Sequence, residues 1–272
     1  MTRATTPSAV FLREGDTWLP SELSRGPWDP RAQHGGAPSA LFAHVAETAM
    51  PEPGWQLARL SVELIKPVPV APLHTRLSMQ AARSTTRLTI DLLAGEALVA
   101  RAHALMLRTQ SLGLPEGLPG QLPERLLPLP ADCTAPLRIP GLPMDTTSFH
   151  ISAMQTLAAQ GDVARGGPGA AWFRLKVPLV QDAATTPAMR AAAAADFGNG
   201  LSWILPAERF IFSNADLSVH LHRQPIGEWI GLMSQTQADR SGAGTTISRL
   251  YDEQGPIGVA MQTLVLRDRS AA

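Results

Sequence analysis

The feature that most constrains the fold of this chain is a short sequence that occurs twice. Residues 58–67 read ARLSVELIKP and residues 215–225 read ADLSVHLHRQP, so Leu60 in the first copy corresponds to Leu217 in the second, 157 positions later. Residues 99–108 (VARAHALMLR) and 258–267 (GVAMQTLVLR) match in the same way at a shift of 159 positions. Two matches in the same order predict a tandem duplication of one folding unit.

A proline-rich stretch separates the two copies. Prolines occupy positions 115, 119, 123, 128, 130, 136, 140 and 143, and apolar periodicity is weak there, which is typical of a linker. We therefore predict an N-terminal unit over residues 1–110, a linker over residues 111–145 and a C-terminal unit over residues 146–272.

Both units show the same predicted order of elements. In the first unit, a helix over residues 36–49 precedes strands over residues 57–65, 74–82, 86–94 and 97–107. In the second, an alanine-rich helix over residues 186–197 precedes strands over residues 215–222, 228–238, 244–252 and 257–267. One helix followed by consecutive antiparallel strands predicts an α+β unit in which the sheet wraps the helix.

Composition excludes several classes of function. The 272 residues are 44% hydrophobic, enough for a substantial core, and the 23 Lys and Arg residues balance the 23 Asp and Glu residues, so no basic field points to nucleic acid. A single cysteine, Cys133, excludes an intrachain disulfide and a cysteine-based zinc site. No stretch is long and apolar enough to insert into a membrane, and we expect a cytoplasmic protein.

Five segments taken together resemble the acyl-CoA thioesterase II (TesB-like) family of double hotdog proteins. They are HGGAPSAL from residue 34, ARLSVELIKPVP from 58, AAAADFGNGLS from 192, ADLSVHLHRQPIGEW from 215 and LYDEQGPIGVAMQTLVLR from 250. The resemblance implies two hotdog units side by side as a pseudo-dimer, and hydrolysis of acyl-CoA to free acid and CoA. We expect no cofactor and no metal, and the hotdog fold favours a homo-oligomer.

The resemblance also implies a set of residues that activates and holds a water molecule. Carried over by position, these are Asp216 as the base, with Thr236 and Gln262 orienting the water. The strand that carries Thr236 is one residue shorter than the family pattern, so Ser234 or Gln237 are alternatives for that role. In the alignment of the two copies Asp216 replaces an arginine and Gln262 replaces a histidine, so we expect one such site per chain.

Donors for the thioester oxyanion are expected from the first unit. His34, Gly35 and Gly36 precede an apolar helix, and glycine allows the free N–H groups of a helix N-terminus to approach a ligand oxygen. We predict Gly35 and Gly36 as these donors and His34 as an orienting or helix-entry residue. Asp196, at the end of the second predicted helix, is a further carboxylate that shares or replaces the base role of Asp216, or else caps the Gly-Asn-Gly turn.

Other functions compete with hydrolysis. Asp29 and His34 have the five-residue spacing of hotdog enoyl-CoA hydratases, although Pro-Arg-Ala-Gln stands between them in place of the family's Asn-Pro. An acyl-thioester binding protein without turnover is the non-enzymatic alternative. His220 and His222 share one strand face but have no third ligand at a recognisable spacing, so we interpret them as a solvated or interface face.

Overall fold

The computed structural model describes residues 7–115, 127–139, 145–206 and 208–271. The first half contains β1 (Phe11–Glu14), β2 (Thr17–Pro20), α1 (Gly36–Thr48), β3 (Trp55–Leu64), β4 (Leu73–Ala81), β5 (Thr85–Ala94) and β6 (Ala97–Arg108). The second half contains β7 (Met154–Gln160), β8 (Gly169–Leu175), α2 (Pro187–Ala195), α3 (Gly198–Leu201), β9 (Phe210–Asn214), β10 (Asp216–Leu221), β11 (Ile230–Ala238), β12 (Ala243–Asp252) and β13 (Gly255–Asp268). The two long helices and the eight predicted strands are therefore confirmed within a few residues.

Five strands, β1, β2, β7, β8 and β9, were not predicted, and four of them have features that explain why. β8 reads GAAWFRL and its first five residues are all buried, so the apolar-polar alternation that marks a half-exposed strand is missing. β1 and β2 have only four residues each, and β9 follows a loop that has no counterpart in the first half.

The strands form one antiparallel sheet whose order is symmetric about its centre. The order is β1-β2-β4-β5-β6-β3-β10-β13-β12-β11-β8-β7, with β9 also pairing with β13. At the centre Ser61 of β3 lies opposite Ser218 of β10, and their hydroxyl oxygens are 3.1 Å apart. Because these serines are the same position of the two sequence copies, a local twofold axis passes between them, as a tandem duplication requires.

Strand pairing corrects one part of the sequence alignment. Ser61 pairs with His103 on β6, whereas Ser218 pairs with Met261 on β13, so the last strands correspond at a shift of 158 positions. The counterpart of Gln262 is therefore Ala104, not His103. Both Gln262 and Ala104 are buried, whereas His103 lies on the other face and contacts Thr89.

The two long helices pack against each other and against the inner face of the sheet. They run antiparallel, because Gly36 at the start of α1 touches the end of α2 and Glu47 at the end of α1 bonds to Thr186 at the start of α2. A Cβ atom on Gly36 would lie 2.6 Å from the carbonyl oxygen of Ala193, so only glycine permits this approach. α2 begins at Pro187 after a Thr186 cap that accepts the N–H of Met189.

The longest described part of the predicted linker, residues 127–139, packs on the second half. The carbonyl oxygen of Pro128 accepts the indole N–H of Trp172, and the carbonyl oxygen of Ala135 accepts the N–H of Ala158. Leu137 is buried in the main core. Residues 116–126 and 140–144 of that linker lie outside the described residues.

The longest described helix, α1, has 13 residues. No helix in the described ranges combines the length and hydrophobicity needed to cross a bilayer.

Candidate active site

A buried carboxylate lies where the end of α2 meets the start of α1. Asp196 is the residue that ends α2, and it is 5% exposed. Its Oδ2 atom is 2.9 Å from Nδ1 of His34, which precedes α1. A Cβ atom on Gly35 would lie 2.8 Å from Oδ1 of Asp196, so the glycine lets the chain before α1 pass directly over the carboxylate.

Asp196 belongs to a closed ring of hydrogen bonds. The side-chain amide of Asn214 donates to Oδ1 of Asp196 (2.6 Å), and the side-chain amide of Asn199 donates to Oδ1 of Asn214. The backbone N–H of Asn199 donates to Oε1 of Gln262 (3.0 Å). Nε2 of Gln262 donates to the carbonyl oxygen (3.1 Å) and to Oδ1 (3.4 Å) of Asp196, which closes the ring and fixes the carboxylate.

His34 packs against two aromatic rings that also pack against each other. It stacks on Phe197 with ring centroids 4.5 Å apart and lies 5.3 Å from Phe149, and the two phenylalanine rings are 6.3 Å apart. Nδ1 of His34 also accepts the N–H of Gly36 (3.1 Å). One nitrogen cannot accept that N–H and donate to Asp196 at once, so a hydrogen bond between His34 and Asp196 that coexists with the Gly36 bond has its proton on Asp196.

A row of buried hydroxyl groups lies beside the ring. The hydroxyl of Thr236 bonds to those of Ser202 (2.8 Å) and Thr246 (2.7 Å), and the hydroxyl of Ser202 donates to the carbonyl oxygen of Gly198. A separate pair, Ser234 and Ser248, bonds at 2.7 Å. Thr236 and Ser234 thus both face inward, whereas Gln237 is exposed on the opposite face of β11.

The structure does not bring Asp216 together with Thr236 and Gln262. Its carboxylate accepts the backbone N–H (2.6 Å) and the hydroxyl (3.2 Å) of Thr263. Thr263 follows Gln262 on β13, and successive side chains of a strand point to opposite faces, so Asp216 lies on the outer face and Gln262 on the inner face. The carboxylate that meets Gln262 is Asp196, the alternative that the sequence offered.

The ring opens onto a small cleft. Its volume is about 60 Å³, and its walls include His34, Asp196 and Asn199 together with the aromatic rings of Trp28 and Phe212. Trp28 is 57% exposed and packs edge-on against Phe212, so both lie near the solvent side of the cleft. A substrate entering past these rings would reach the Asp196 carboxylate.

Family models match both halves of the chain. A model described as the acyl-CoA thioesterase N-terminal domain matches residues 24–107, and one described as the acyl-CoA thioesterase C-terminal domain matches residues 130–266. The chain belongs to the acyl-CoA thioesterase family. A search of curated protein sequences finds no match.

Solved structures share the fold at low sequence identity. The acyl-CoA thioesterase II TesB2 of Mycobacterium marinum is 14% identical, with a TM-score of 0.61 over 95% of this chain and 96% of its own. The tesB protein of Mycobacterium avium subs paratuberculosis is 11% identical, with a TM-score of 0.64 over 94% and 95%. A hot dog fold protein of unknown function from Alicyclobacillus acidocaldarius is 17% identical, with a TM-score of 0.67 over 96% of each chain. The predicted α+β double hotdog fold is confirmed.

The backbone N–H groups of Gly35 and Gly36, the two predicted oxyanion donors, differ in their hydrogen bonding in this thioesterase-family chain. The N–H of Gly36 is occupied by Nδ1 of His34. The N–H of Gly35 makes no hydrogen bond within the described residues, while its carbonyl oxygen accepts both the N–H and the hydroxyl of Ser39. Gly35 therefore keeps a free donor beside the carboxylate, and Gly36 serves the close contact of the helices.

Two alternative sites do not assemble in this thioesterase-family chain. The Asp29 carboxylate accepts two hydrogen bonds from the guanidinium group of Arg31 (2.9 and 3.0 Å), and His34 pairs with Asp196. The Asp29–His34 pair of a hydratase is therefore not formed. His220 and His222 are exposed. No cluster of three or more His, Cys, Asp or Glu residues within the described ranges could hold a metal ion.

Two members of the ring were missed in the sequence. Asn199 lies three residues after Asp196, which places both on one side of a helical turn, and this spacing was an available signal. Asn214 comes from β9, a strand that was not predicted, and no local pattern connects it to Asp196.

The opposite end of the helix pair carries a different contact. There the hydroxyl of Thr186 donates to Oε2 of Glu47 at 2.5 Å. Burial raises the pKa of the Glu47 carboxyl, and the hydrogen bond from Thr186 acts in the opposite direction. Because α1 and α2 are related by the local twofold axis, this end of the helix pair is the counterpart of the end that carries the Asp196–His34 contact.

Proposed function

We propose that the protein hydrolyses acyl-CoA thioesters to a free acid and CoA, with Asp196 as the general base. The observation that carries this proposal is the buried Asp196 carboxylate, held in a closed ring with Gln262 and facing the start of α1 in the other half. Membership of the acyl-CoA thioesterase family supports the substrate class. Asp196 replaces Asp216 as the proposed base because only the Asp196 carboxylate contacts the Gln262 side chain, whereas Asp216 lies on the opposite face of the sheet.

The reaction needs a nucleophilic water beside the carboxylate. In the proposed step the oxygen of a water molecule attacks the thioester carbonyl carbon while Asp196 accepts one of its protons. The tetrahedral intermediate then collapses, the carbon–sulfur bond breaks, and the thiolate of CoA takes the proton back. The products are a carboxylic acid and the free thiol of CoA, so atoms and charge balance without a cofactor.

The neighbouring residues have distinct proposed roles. Gln262 and Asn214 hold the carboxylate in one orientation through their amide N–H groups. His34 shares the proton that Asp196 gains. The free N–H of Gly35 is placed to donate to the oxyanion, where a fixed donor stabilises charge that develops in the transition state.

Thr236 has an indirect role in this scheme. Its hydroxyl reaches Ser202 and Thr246 and makes no contact with Asp196 in the described structure. Ser202 in turn bonds to Gly198, the first residue of α3, which carries Asn199. Thr236 therefore supports the segment that positions the ring.

The experiment is to incubate the purified protein with a panel of acyl-CoA thioesters and measure both free thiol and free acid. Equal release of the two supports hydrolysis. Tight binding of acyl-CoA without release identifies a non-catalytic binding protein, and conversion of an enoyl-CoA to its hydroxy form without free thiol identifies a hydratase. Residence in the cytoplasm and assembly into a homo-oligomer stay predictions from the sequence.

A further inference from the structure

A second cavity adjoins the cleft that holds Asp196. It has a volume of about 270 Å³ and lies between the described part of the linker and the start of β7. Ile139, His150 and Phe197 line both cavities, so the two share a wall. Phe197 directly follows Asp196 in the chain, which places this cavity next to the proposed reaction centre.

The lining is suited to an apolar group. Leu137, Met154 and Leu157 contribute to it together with Pro136 and Ile151, and its described lining contains no Lys, Arg, Asp or Glu. The phosphates of CoA carry several negative charges, and such groups need positive or N–H donors for binding. The cavity therefore matches the acyl chain of the substrate and not its nucleotide.

We propose that this cavity binds the acyl chain, that it takes medium-length chains of about six to ten carbons, and that the linker wall sets this length. This inference rests on the proposed function. A water molecule occupies about 30 Å³ in the liquid, and a methylene group is similar in size, so a cavity of 270 Å³ holds roughly nine such groups. The volume is also just below the ~300 Å³ at which pockets for larger ligands begin.

The linker wall is fixed in place by several contacts. The backbone of Ala135 accepts a hydrogen bond from β7, and the side chain of Leu137 is only 8% exposed. The Cδ1 atom of Ile139 lies 3.2 Å from where a Cβ atom of Gly200 would be, so the linker also touches α3. A segment that composition alone marks as a connection thus forms one side of a binding cavity.

The test compares chain-length profiles of variants at Leu137. Straight-chain acyl-CoAs from butyryl to palmitoyl are assayed for free thiol. Since a buried methylene contributes about 0.8 kcal/mol, kcat/KM of the native protein should rise roughly three- to fourfold per methylene and stop rising between about six and ten carbons. Leu137→Ala should move this limit to longer chains, and Leu137→Trp should move it to shorter ones.

The test includes a matched control variant and a second variant that fills the cavity. Leu112→Ala makes the same change in the linker at a side chain that is 62% exposed and lines neither cavity, so its profile should equal that of the native protein. Thr156→Phe fills the cavity from β7 if Leu137→Trp fails to fold.

The outcomes separate this inference from the proposed function. Profiles that stay unchanged in Leu137→Ala and in a folded filling variant, with hydrolysis intact, contradict the acyl cavity and leave hydrolysis standing. If no acyl-CoA releases thiol, hydrolysis is wrong, and calorimetric binding of the same panel decides the cavity. In that case octanoyl-CoA should bind at least tenfold more weakly to the filling variant, and equal affinity would overturn the inference.

Discussion

The inner faces of the two halves carry side chains of different polarity at three structurally equivalent positions. On β5 and β6 the first half has Leu88, Ile90 and Ala104, and all three are at most 1% exposed. The corresponding positions on β12 and β13 carry Thr246, Ser248 and Gln262, which are equally buried. Buried polar groups cost free energy unless they are hydrogen-bonded, and each of these three is bonded. The fold accepts an apolar row here, so the fold alone does not require the polar row.

The two ends of the helix pair show the same asymmetry. At one end Asp196 faces His34 and a glycine that leaves room above the carboxylate. At the other end Glu47 is engaged by Thr186, whose hydroxyl also caps α2. A duplicated scaffold thus offers two equivalent places, and only one carries the ring of hydrogen bonds.

Among the variants that keep the Asp196 carboxylate, the largest effect is expected from Gly35→Ala, which removes the room above the carboxylate. The backbone of Gly35 (φ −58°, ψ −24°) suits alanine, so the added Cβ should displace the Asp196 side chain and leave the fold intact. A displacement of about 1 Å at a reacting group can lower the rate about a hundredfold. We expect that loss in kcat with little change in Tm. Gly36→Ala is the contrast, because its Cβ meets the backbone of α2 and should lower Tm.

Gln262→Ala makes this position identical to Ala104 of the first half. It removes the hydrogen bonds that the amide gives to Asp196 and leaves the N–H of Asn199 without its partner. A hydrogen bond to a charged group is worth about 1.5–3 kcal/mol, so kcat/KM should fall between about tenfold and a hundredfold. Thr263→Ala, its neighbour on the outer face, serves as the control and should retain activity. Equal activity of the two variants would show that the ring of hydrogen bonds around Asp196 does not contribute to catalysis.

Thr236→Val tests the hydroxyl row, which has no polar counterpart in the first half. Valine keeps the shape and leaves the hydroxyls of Ser202 and Thr246 with one partner fewer. A cost of about 1 kcal/mol in the free energy of unfolding is expected, measured by urea denaturation, together with a loss of a few-fold in kcat. Thr245→Val, exposed on the neighbouring strand β12, should change neither quantity. A loss in kcat as large as that of Gln262→Ala would instead place Thr236 at the reacting water.

The smallest effect is expected from Glu47→Gln at the counterpart end. Because burial raises the pKa of Glu47 in the folded state, the ionised carboxylate destabilises the fold at neutral pH. The variant should therefore be more stable than the native protein at pH 7, and the difference should disappear below about pH 4.3, where the unfolded carboxyl is protonated. Tm measured across this range checks the sign, while kcat should not change. A Glu47→Gln variant that is less stable than the native protein at pH 7 would contradict a raised pKa of Glu47.

The sequence predicted eight strands and the two long helices because their apolar periodicity is local. It also located the meeting of the two halves, since His34, Gly35 and Asp196 were all candidates. Asp216 lies away from Gln262 for a reason that the sequence already contained: Leu217, Val219 and Leu221 alternate with Asp216 along the strand and face inward.

The rest of the site depends on long-range placement. Asn214 reaches Asp196 only because β9 pairs with the far end of β13, and no periodicity marks that strand. The role of the linker as a wall is equally hidden, because its prolines and weak periodicity are typical of a connection. Such features follow from which segments pack together, and a single sequence does not encode that in a local pattern.

The most direct test of the central claim compares Asp196→Asn with Asp216→Asn in one assay of CoA release. Both changes replace a carboxylate by an amide of the same shape, one at the end of α2 beside Gln262 and one on the outer face of the sheet. A general base contributes about 10²–10⁴-fold, so Asp196→Asn should lose activity by that factor while Asp216→Asn stays within about threefold of the native rate. Loss of hydrolysis in Asp216→Asn, with activity retained in Asp196→Asn, would contradict the account.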